Sequence, residues 1–230
     1  MLDLSPKRFF PGVYALKGES GESIATLNLT PGRRFYGEQL VAVDGVEYRT
    51  WSPYRSKLAA AIRKGLGVMP LSRGEKVLYL GVASGTTCSH VSDIIGVEGH
   101  VWGVDFAPRP IRDLIEGLAK HRDNVSPILG DARRPRTYAL NVPKVDGIYA
   151  DVAQPDQGGI VVENARVFLK SGGWAVMAVK SRSIDVTKAP RRVYAAEIEK
   201  LREGGFDVVE SLELDPFEKD HALVVARLKS

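Results

Sequence analysis

One cysteine in 230 residues, Cys88, excludes an internal disulfide and any cysteine-rich zinc site. A nucleophilic thiol would need an activating histidine, and His90, two positions on in a predicted helix, faces another direction. Cys88 is therefore expected to be a small buried side chain. The four histidines show neither an HExxH pattern nor paired spacing, so no metal site is expected. No apolar run approaches the ~18 residues of a membrane span. The opening MLDLSPKRFF has no apolar core followed by a small-residue cleavage site, which leads to the expectation of a cytoplasmic protein. A strong charge imbalance is missing too: the net charge of +4 permits nucleic acid without demanding it. Residues 1–54 hold six Lys/Arg and six Asp/Glu, so the whole excess lies after residue 54.

What is present divides the chain into two parts, 1–54 and 55–230. The first carries short β-like runs at 13–16, 24–29 and 40–43, separated by Gly, Pro and an Asp44-Gly45 hairpin signal. It reads as a small antiparallel β domain that packs on the larger part or on a partner. From residue 55 the pattern alternates regularly. Helices are predicted at 57–66, from Thr86, and at 111–121, 159–169 and 191–203. Strands are predicted at 77–80, 100–105, 125–129, 145–151, 173–180, 206–214 and 221–228. Such alternation implies an α/β domain with a mostly parallel sheet covered on both faces. Seven strands closing in a hairpin match the Rossmann-like layout of class I S-adenosylmethionine (SAM) dependent methyltransferases.

The segment 77–105, VLYLGVASGTTCSHVSDIIGVEGHVWGVD, reads as strand, glycine turn, amphipathic helix, strand, acid. Asp105, 20 positions after Gly85, has the spacing at which an acid on the second strand accepts hydrogen bonds from ribose hydroxyls. The glycines are spaced Gly81-x-x-x-Gly85 with no third, which disfavours the pyrophosphate of NAD or FAD. A loop of small residues without an anion nest suits SAM.

In an open α/β sheet, ligands sit outside the carboxyl ends of the strands. The predicted strands run out near Gly81, Asp105, Asp131, Asp151 and Lys180, and the first helix begins at Lys57. Asp151 and Lys180 close two adjacent strands and should point into one cleft. A lysine partly withdrawn from water beside a second cation is a feasible general base for a weakly acidic hydroxyl, with Asp151 orienting it. A structural ion pair has the same spelling. Gln154 and Gln157 flank a proline before a helix and could wall the methionine end of a ligand. Arg133, Arg134 and Arg136, then Lys188, Arg191 and Arg192, and Arg55, Arg63 and Lys64 ring the cleft and could steer a phosphate backbone.

Several motifs together resemble the fibrillarin family in its archaeal form, without a glycine-arginine-rich tail. They are YRSKLAAAI at 54–62, KVLYLGVASGTTCSHVSDIIG at 76–96, ILGDARRP at 128–135, DVAQPDQ at 151–157, FLKSGGW at 168–174 and DPFEKDHALVV at 215–225. The resemblance covers nearly the whole chain. It implies a SAM-dependent RNA 2′-O-ribose methyltransferase of rRNA, and of tRNA as well, transferring the methyl in line to the 2′-oxygen without a metal. It also implies a ribonucleoprotein with a box C/D guide RNA, a Nop-family scaffold protein and a kink-turn-binding protein.

Carried over residue by residue, the resemblance implies a catalytic set of Lys57, Asp151, Lys180 and His221, with Asp220 as an alternative to His221. The implied cofactor positions are Gly81, Ala83, Ser84, Gly85, Thr86 and Thr87 in the loop. Asp105 and Phe106 would meet the adenosine, Asp131 and Ala132 the adenine edge, and Asp151, Gln154 and Gln157 the remainder. Asp105 stands where the family commonly has glutamate. Two other readings remain open: a class I methyltransferase acting on protein glutamine, and a non-catalytic RNA-binding subunit. The second would have no need of Lys57, Asp151 and Lys180 together.

Overall fold

The computed structural model describes residues 7–18 and 21–230. The first six residues of the MLDLSPKRFF segment, and the acids Asp3 and Glu19 counted above, lie outside the described residues. The first part of the chain forms a five-stranded antiparallel sheet in the order β1-β2-β3-β5-β4. Its strands are β1 (Lys7–Phe10), β2 (Val13–Gly18), β3 (Gly21–Leu27), β4 (Leu40–Val43) and β5 (Val46–Thr50). The Asp44-Gly45 signal does make a hairpin. Both residues have positive φ, 49° and 78°, as the tight turn that matches strand twist demands. β1 and β5 escaped the sequence reading, since each is short and carries charged residues.

The second part forms a seven-stranded sheet in the order β11-β12-β10-β9-β6-β7-β8. In chain order the elements are α1 (Lys57–Arg63), β6 (Lys76–Leu80), α2 (Thr86–Ile95), β7 (His100–Asp105), α3 (Pro108–Gly117) and β8 (Val125–Leu129). They continue with β9 (Val145–Ala150), α4 (Gln157–Phe168), β10 (Leu169–Lys180), α5 (Ser181–Ile184), α6 (Pro190–Glu203), β11 (Phe206–Glu213) and β12 (His221–Leu228). β12 runs antiparallel to both its neighbours, while β10, β9, β6, β7 and β8 pair in parallel. Alternate residues of one strand feed opposite cores: Val77 and Tyr79 of β6 face one, Leu78 and Leu80 the other.

The differences from the expected elements have local causes. α1 stops at Arg63 rather than 66, as Gly65 takes φ 93°. α3 starts at Pro108, a residue suited to a first helical turn, and 119–121 is a separate 3₁₀ turn. β10 begins at Leu169 rather than 173, because FLKSGGW continues as an irregular strand whose register against β9 shifts between Leu169 and Trp174.

α2 corrects the amphipathic reading, since every residue from Thr87 to Ile95 is buried. One side packs on the seven-stranded sheet; the other is covered by the antiparallel sheet. The polar residues of α2 are consumed there. Arg49 of β5, wholly buried, pairs with Glu38 at 2.6 Å and with Asp93 of α2 at 2.7 Å, and Arg122 reaches the other oxygen of Asp93 at 2.6 Å. His90 stacks on Trp51 and its ring nitrogens meet Thr26 Oγ1 at 2.7 Å and the Tyr36 hydroxyl at 2.6 Å. Burial, with Arg49 and Arg122 nearby, pushes His90 well below the ordinary histidine range, so the ring is neutral. The appendage is thus fixed to the larger part by a compensated buried ionic cluster. Cys88 is buried on the same helix, and burial pushes its thiol up to about 12.

Candidate active site

Four strand ends and one helix start converge at the carboxyl edge of the sheet. Gly81 follows β6, its N–H bonded to Val104 O of β7 at 2.8 Å, and Asp151 follows β9, its N–H bonded to Leu80 O at 2.9 Å. Gly81 has φ 76°, and a Cβ there would stand 2.7 Å from the Asp151 carbonyl oxygen. Only glycine lets β6 and β9 close up at this point. Ala83 also takes positive φ, 50°, and its N–H donates to Asp105 Oδ2 at 3.0 Å, while Asp105 Oδ1 accepts the Ala107 N–H at 3.0 Å. Asp105 thereby sets the shape of the glycine loop as well as ending β7.

Lys57, Asp151 and Lys180 meet. Lys180 Nζ lies 2.8 Å from Asp151 Oδ1 and donates to the Asp151 carbonyl at 2.8 Å. Lys57 Nζ lies 3.2 and 3.3 Å from the two carboxylate oxygens. The three side chains are only 15, 16 and 18% exposed, so the pairing is largely shielded from solvent screening. His221 is the direct cross-strand partner of Lys180, which puts the two side chains on the same face; its Nδ1 contacts the Lys219 carbonyl at 2.7 Å. The Asp220 carboxylate is turned away to Arg182 Nε at 3.0 Å. Of the two alternatives, His221 is the one aligned with Lys180.

Beside this cluster lies a cavity of about 200 Å³, and Gly81, Ala83, Asp105, Phe106, Asp131, Ala132, Asp151, Gln154 and Lys180 are on its wall. Phe106 is 66% exposed at its mouth. The remaining predicted cofactor positions do not line this cavity. Ser84, Gly85 and Thr86 continue the turn. Thr87 is buried, with its hydroxyl donated to Ser56 Oγ at 2.9 Å. Gln157 is wholly buried and its Oε1 accepts the Lys180 N–H at 2.9 Å, which fixes the end of β10. Asp131 is braced by Arg133, whose hydrogen bonds hold its carboxyl below the usual range.

The wall suits SAM. Asp105, Asp131 and Asp151 present carboxylates against a single lining cation, Lys180, an arrangement that favours a sulfonium and ribose hydroxyls and repels a pyrophosphate. Among the described residues no group of three or more His, Cys, Asp or Glu is arranged to hold a metal ion. No helix of the described residues is long and apolar enough to cross a membrane.

The predicted basic rim is partly spent on internal pairs: Arg133 with Asp131, Arg191 with Glu213, Lys188 with Asp185 and Arg63 with Glu22. Arg55 and Lys64 donate to the carbonyls of Tyr36 and Asp215. Arg134, Arg136 and Arg192 are exposed. Ser56, the N-cap that starts α1 at Lys57, was missed in the sequence, although a serine directly before an apolar helical run is a recognisable start signal.

A family model described as Fibrillarin matches residues 4–230. The chain belongs to the fibrillarin family. It is 57% identical over 222 residues, 96% of this chain and 97% of the relative, to the fibrillarin-like rRNA/tRNA 2′-O-methyltransferase of Thermococcus onnurineus. Among solved structures it resembles Methanococcus jannaschii fibrillarin, a pre-rRNA processing protein, with TM-score 0.94 and 45% identity over the full length of both chains. It resembles Aeropyrum pernix fibrillarin with natively bound S-adenosyl-L-methionine at TM-score 0.90 and 53% identity, covering 96% of this chain and 97% of the other. A fibrillarin in complex with Nop5p matches at TM-score 0.86 and 40% identity, covering 97% of this chain and all of the other. The fold of this fibrillarin-family chain is that of a class I methyltransferase carrying a small N-terminal antiparallel sheet.

Proposed function

We propose that the chain is a SAM-dependent RNA 2′-O-ribose methyltransferase, the catalytic subunit of a box C/D guide ribonucleoprotein acting on rRNA and tRNA. The observation that carries this reading is the shared carboxylate of Asp151 between Lys57 and Lys180, at the edge of a cavity walled by Gly81 and Asp105. The Thermococcus onnurineus relative is a fibrillarin-like rRNA/tRNA 2′-O-methyltransferase, and one related structure holds the cofactor.

When bound, SAM supplies an activated methyl group on a sulfonium. Asp105 and Phe106 would hold its adenosine, Asp131 and Ala132 the adenine edge, and Gln154 with the Gly81 to Gly85 turn its amino-acid end. The chain's own task is to align the ribose hydroxyl and remove its proton. Lys180 Nζ takes that proton, and Asp151, held from the other side by Lys57, keeps Lys180 aimed and balances the ammonium that forms. Proximity and alignment supply most of the rate, and proton removal about 10²–10⁴-fold. His221 lies beside Lys180 as the fourth member of the set.

The target nucleotide is chosen by base pairing with the guide RNA. A Nop-family scaffold is the expected recruiter, in line with the related complex with Nop5p, and a kink-turn-binding protein completes the particle. The proposed setting is the cytoplasm of an archaeal cell. The test is methyl incorporation from labelled SAM into a guide-matched RNA, with the chain alone and with the assembled particle. Transfer to a ribose 2′-oxygen at the guided nucleotide supports the reading; transfer to a protein glutamine, or none with SAM bound, rejects it.

A further inference from the structure

Lys57 is the first residue of α1, so its position depends on how the start of that helix is held. The cap is Ser56, whose Oγ accepts the Ala59 N–H at 3.4 Å. That same oxygen accepts a hydrogen bond from Thr87 Oγ1 at 2.9 Å, across 31 residues of sequence. Thr87 is the second residue of α2, directly after the glycine loop, and its hydroxyl donates to Ser56. Two buried tyrosines back the contact. Tyr79, two residues before Gly81, lies beside Thr87, and its ring packs at 4.6 Å on that of Tyr149, two residues before Asp151. Burial, with the Asp151 charge added, pushes both phenols well above the ordinary range, so both remain uncharged beneath the lysine pair.

We propose that Thr87 is a positioning residue, which through Ser56 ties the placement of Lys57 against Asp151 to the helix that opens the cofactor loop. This deepens the methyl-transfer reading and rests on it. Two elements distant in sequence, one carrying Lys57 and one closing the cofactor turn, are joined by this buried hydroxyl pair. Buried hydrogen bonds of this kind hold geometry closely, since an unpaired hydroxyl there is costly. A displacement of about 1 Å in a catalytic group can lower the rate about 10²-fold.

The test compares wild type with Thr87→Val, which keeps the shape and removes the hydroxyl, and with Thr87→Ser, which restores it. Three quantities are read: the SAM dissociation constant by calorimetry, the acylation rate of each lysine by mass spectrometry, and single-turnover methyl transfer in the assembled particle. The expected result for Thr87→Val is Lys57 acylation raised several-fold relative to the other lysines and transfer at saturating SAM slowed about tenfold, with any loss of SAM affinity smaller than the loss of transfer. Thr87→Ser should return all three toward wild type. SAM binding weakened as much as transfer would make Thr87 a cofactor ligand and overturn the proposal. A lower melting temperature with Lys57 reactivity and transfer unchanged would overturn it as well, leaving a packing role only.

If Thr87→Val does not fold, Ser56→Gly removes the acceptor while keeping an acceptable helix cap, and carries the same expectations. A wild-type particle that transfers no methyl would defeat the enzymatic reading, and the lysine-acylation comparison would still decide the positioning one.

Discussion

Lys180 grips Asp151 twice, once through the carboxylate oxygen Oδ1 and once through the backbone carbonyl, both at 2.8 Å. The carbonyl so engaged is also the atom that a Cβ on Gly81 would strike. The proposed base, its proposed orienting acid and the glycine turn therefore share one point in the structure, and disturbing any of them should be felt by the others.

Gly81→Ala should be far more damaging than a usual surface glycine change. The backbone holds φ 76°, and the added methyl would lie 2.7 Å from the Asp151 carbonyl oxygen. The left-handed conformation alone costs about 1–2 kcal/mol for a non-glycine residue, and relieving the contact must shift Asp151. Calorimetry and thermal melts should show both weakened SAM binding and a lower melting temperature.

Asp105→Ala should weaken SAM at least tenfold in calorimetry. Besides its proposed ribose contact, the carboxylate holds the N–H groups of Ala83 and Ala107, and its loss frees a turn in which Ala83 sits at φ 50°. Asp105→Glu should retain more affinity than Asp105→Ala, since a carboxylate remains.

Arg49→Met tests the cluster that joins the two sheets. Removing a buried cation leaves Glu38 uncompensated and Asp93 with Arg122 alone, a change worth about 3–5 kcal/mol. Urea unfolding should show a fall of that size. The proposed catalytic groups lie at the other end of α2, so SAM affinity of the folded variant should change little.

His90 predicts a pH dependence of stability. Its folded-state value lies well below 6.5, so above pH 6.5 the ring is neutral both folded and unfolded. Below 6.5 the unfolded chain binds a proton that the folded chain does not. Stability is thus complete above pH 6.5 and falls as the pH drops below it, at up to about 1.4 kcal/mol per unit for this group. Glu38 acts lower: burial raises its carboxyl, but Arg49 and the N–H groups of Tyr36 and Phe35 outweigh this and hold it below the ordinary range. Denaturant midpoints between pH 7.5 and 5 should decline in wild type and flatten in His90→Gln.

The larger sheet was legible because its strands are apolar runs separated by helical periodicity, and because the strand ends are marked by a glycine or a charged residue. Gly81, Asp105, Asp151 and Lys180 could all be placed at one edge on that ground, and they meet there. What the sequence concealed were the polar contacts made away from the strand ends. Nothing in the spelling of β5 says that Arg49 turns inward to Asp93, 44 residues away. Nor does the polar side of α2 reveal that a second sheet covers it. Nor does the spelling show that the Thr87 hydroxyl donates to Ser56, the cap of another helix. Periodicity reports which faces are apolar; it does not report which buried polar groups find each other.

The most direct test of the account is nucleoside analysis of a guide-matched RNA after incubation with labelled SAM and the assembled particle, for wild type and Lys180→Ala side by side. The prediction is a 2′-O-methyl group at the single guided nucleotide with wild type, and a loss of at least about 10²-fold with Lys180→Ala while SAM binding persists. Near-normal transfer by Lys180→Ala would contradict the assignment of the base, and no ribose methylation by wild type would contradict the function itself.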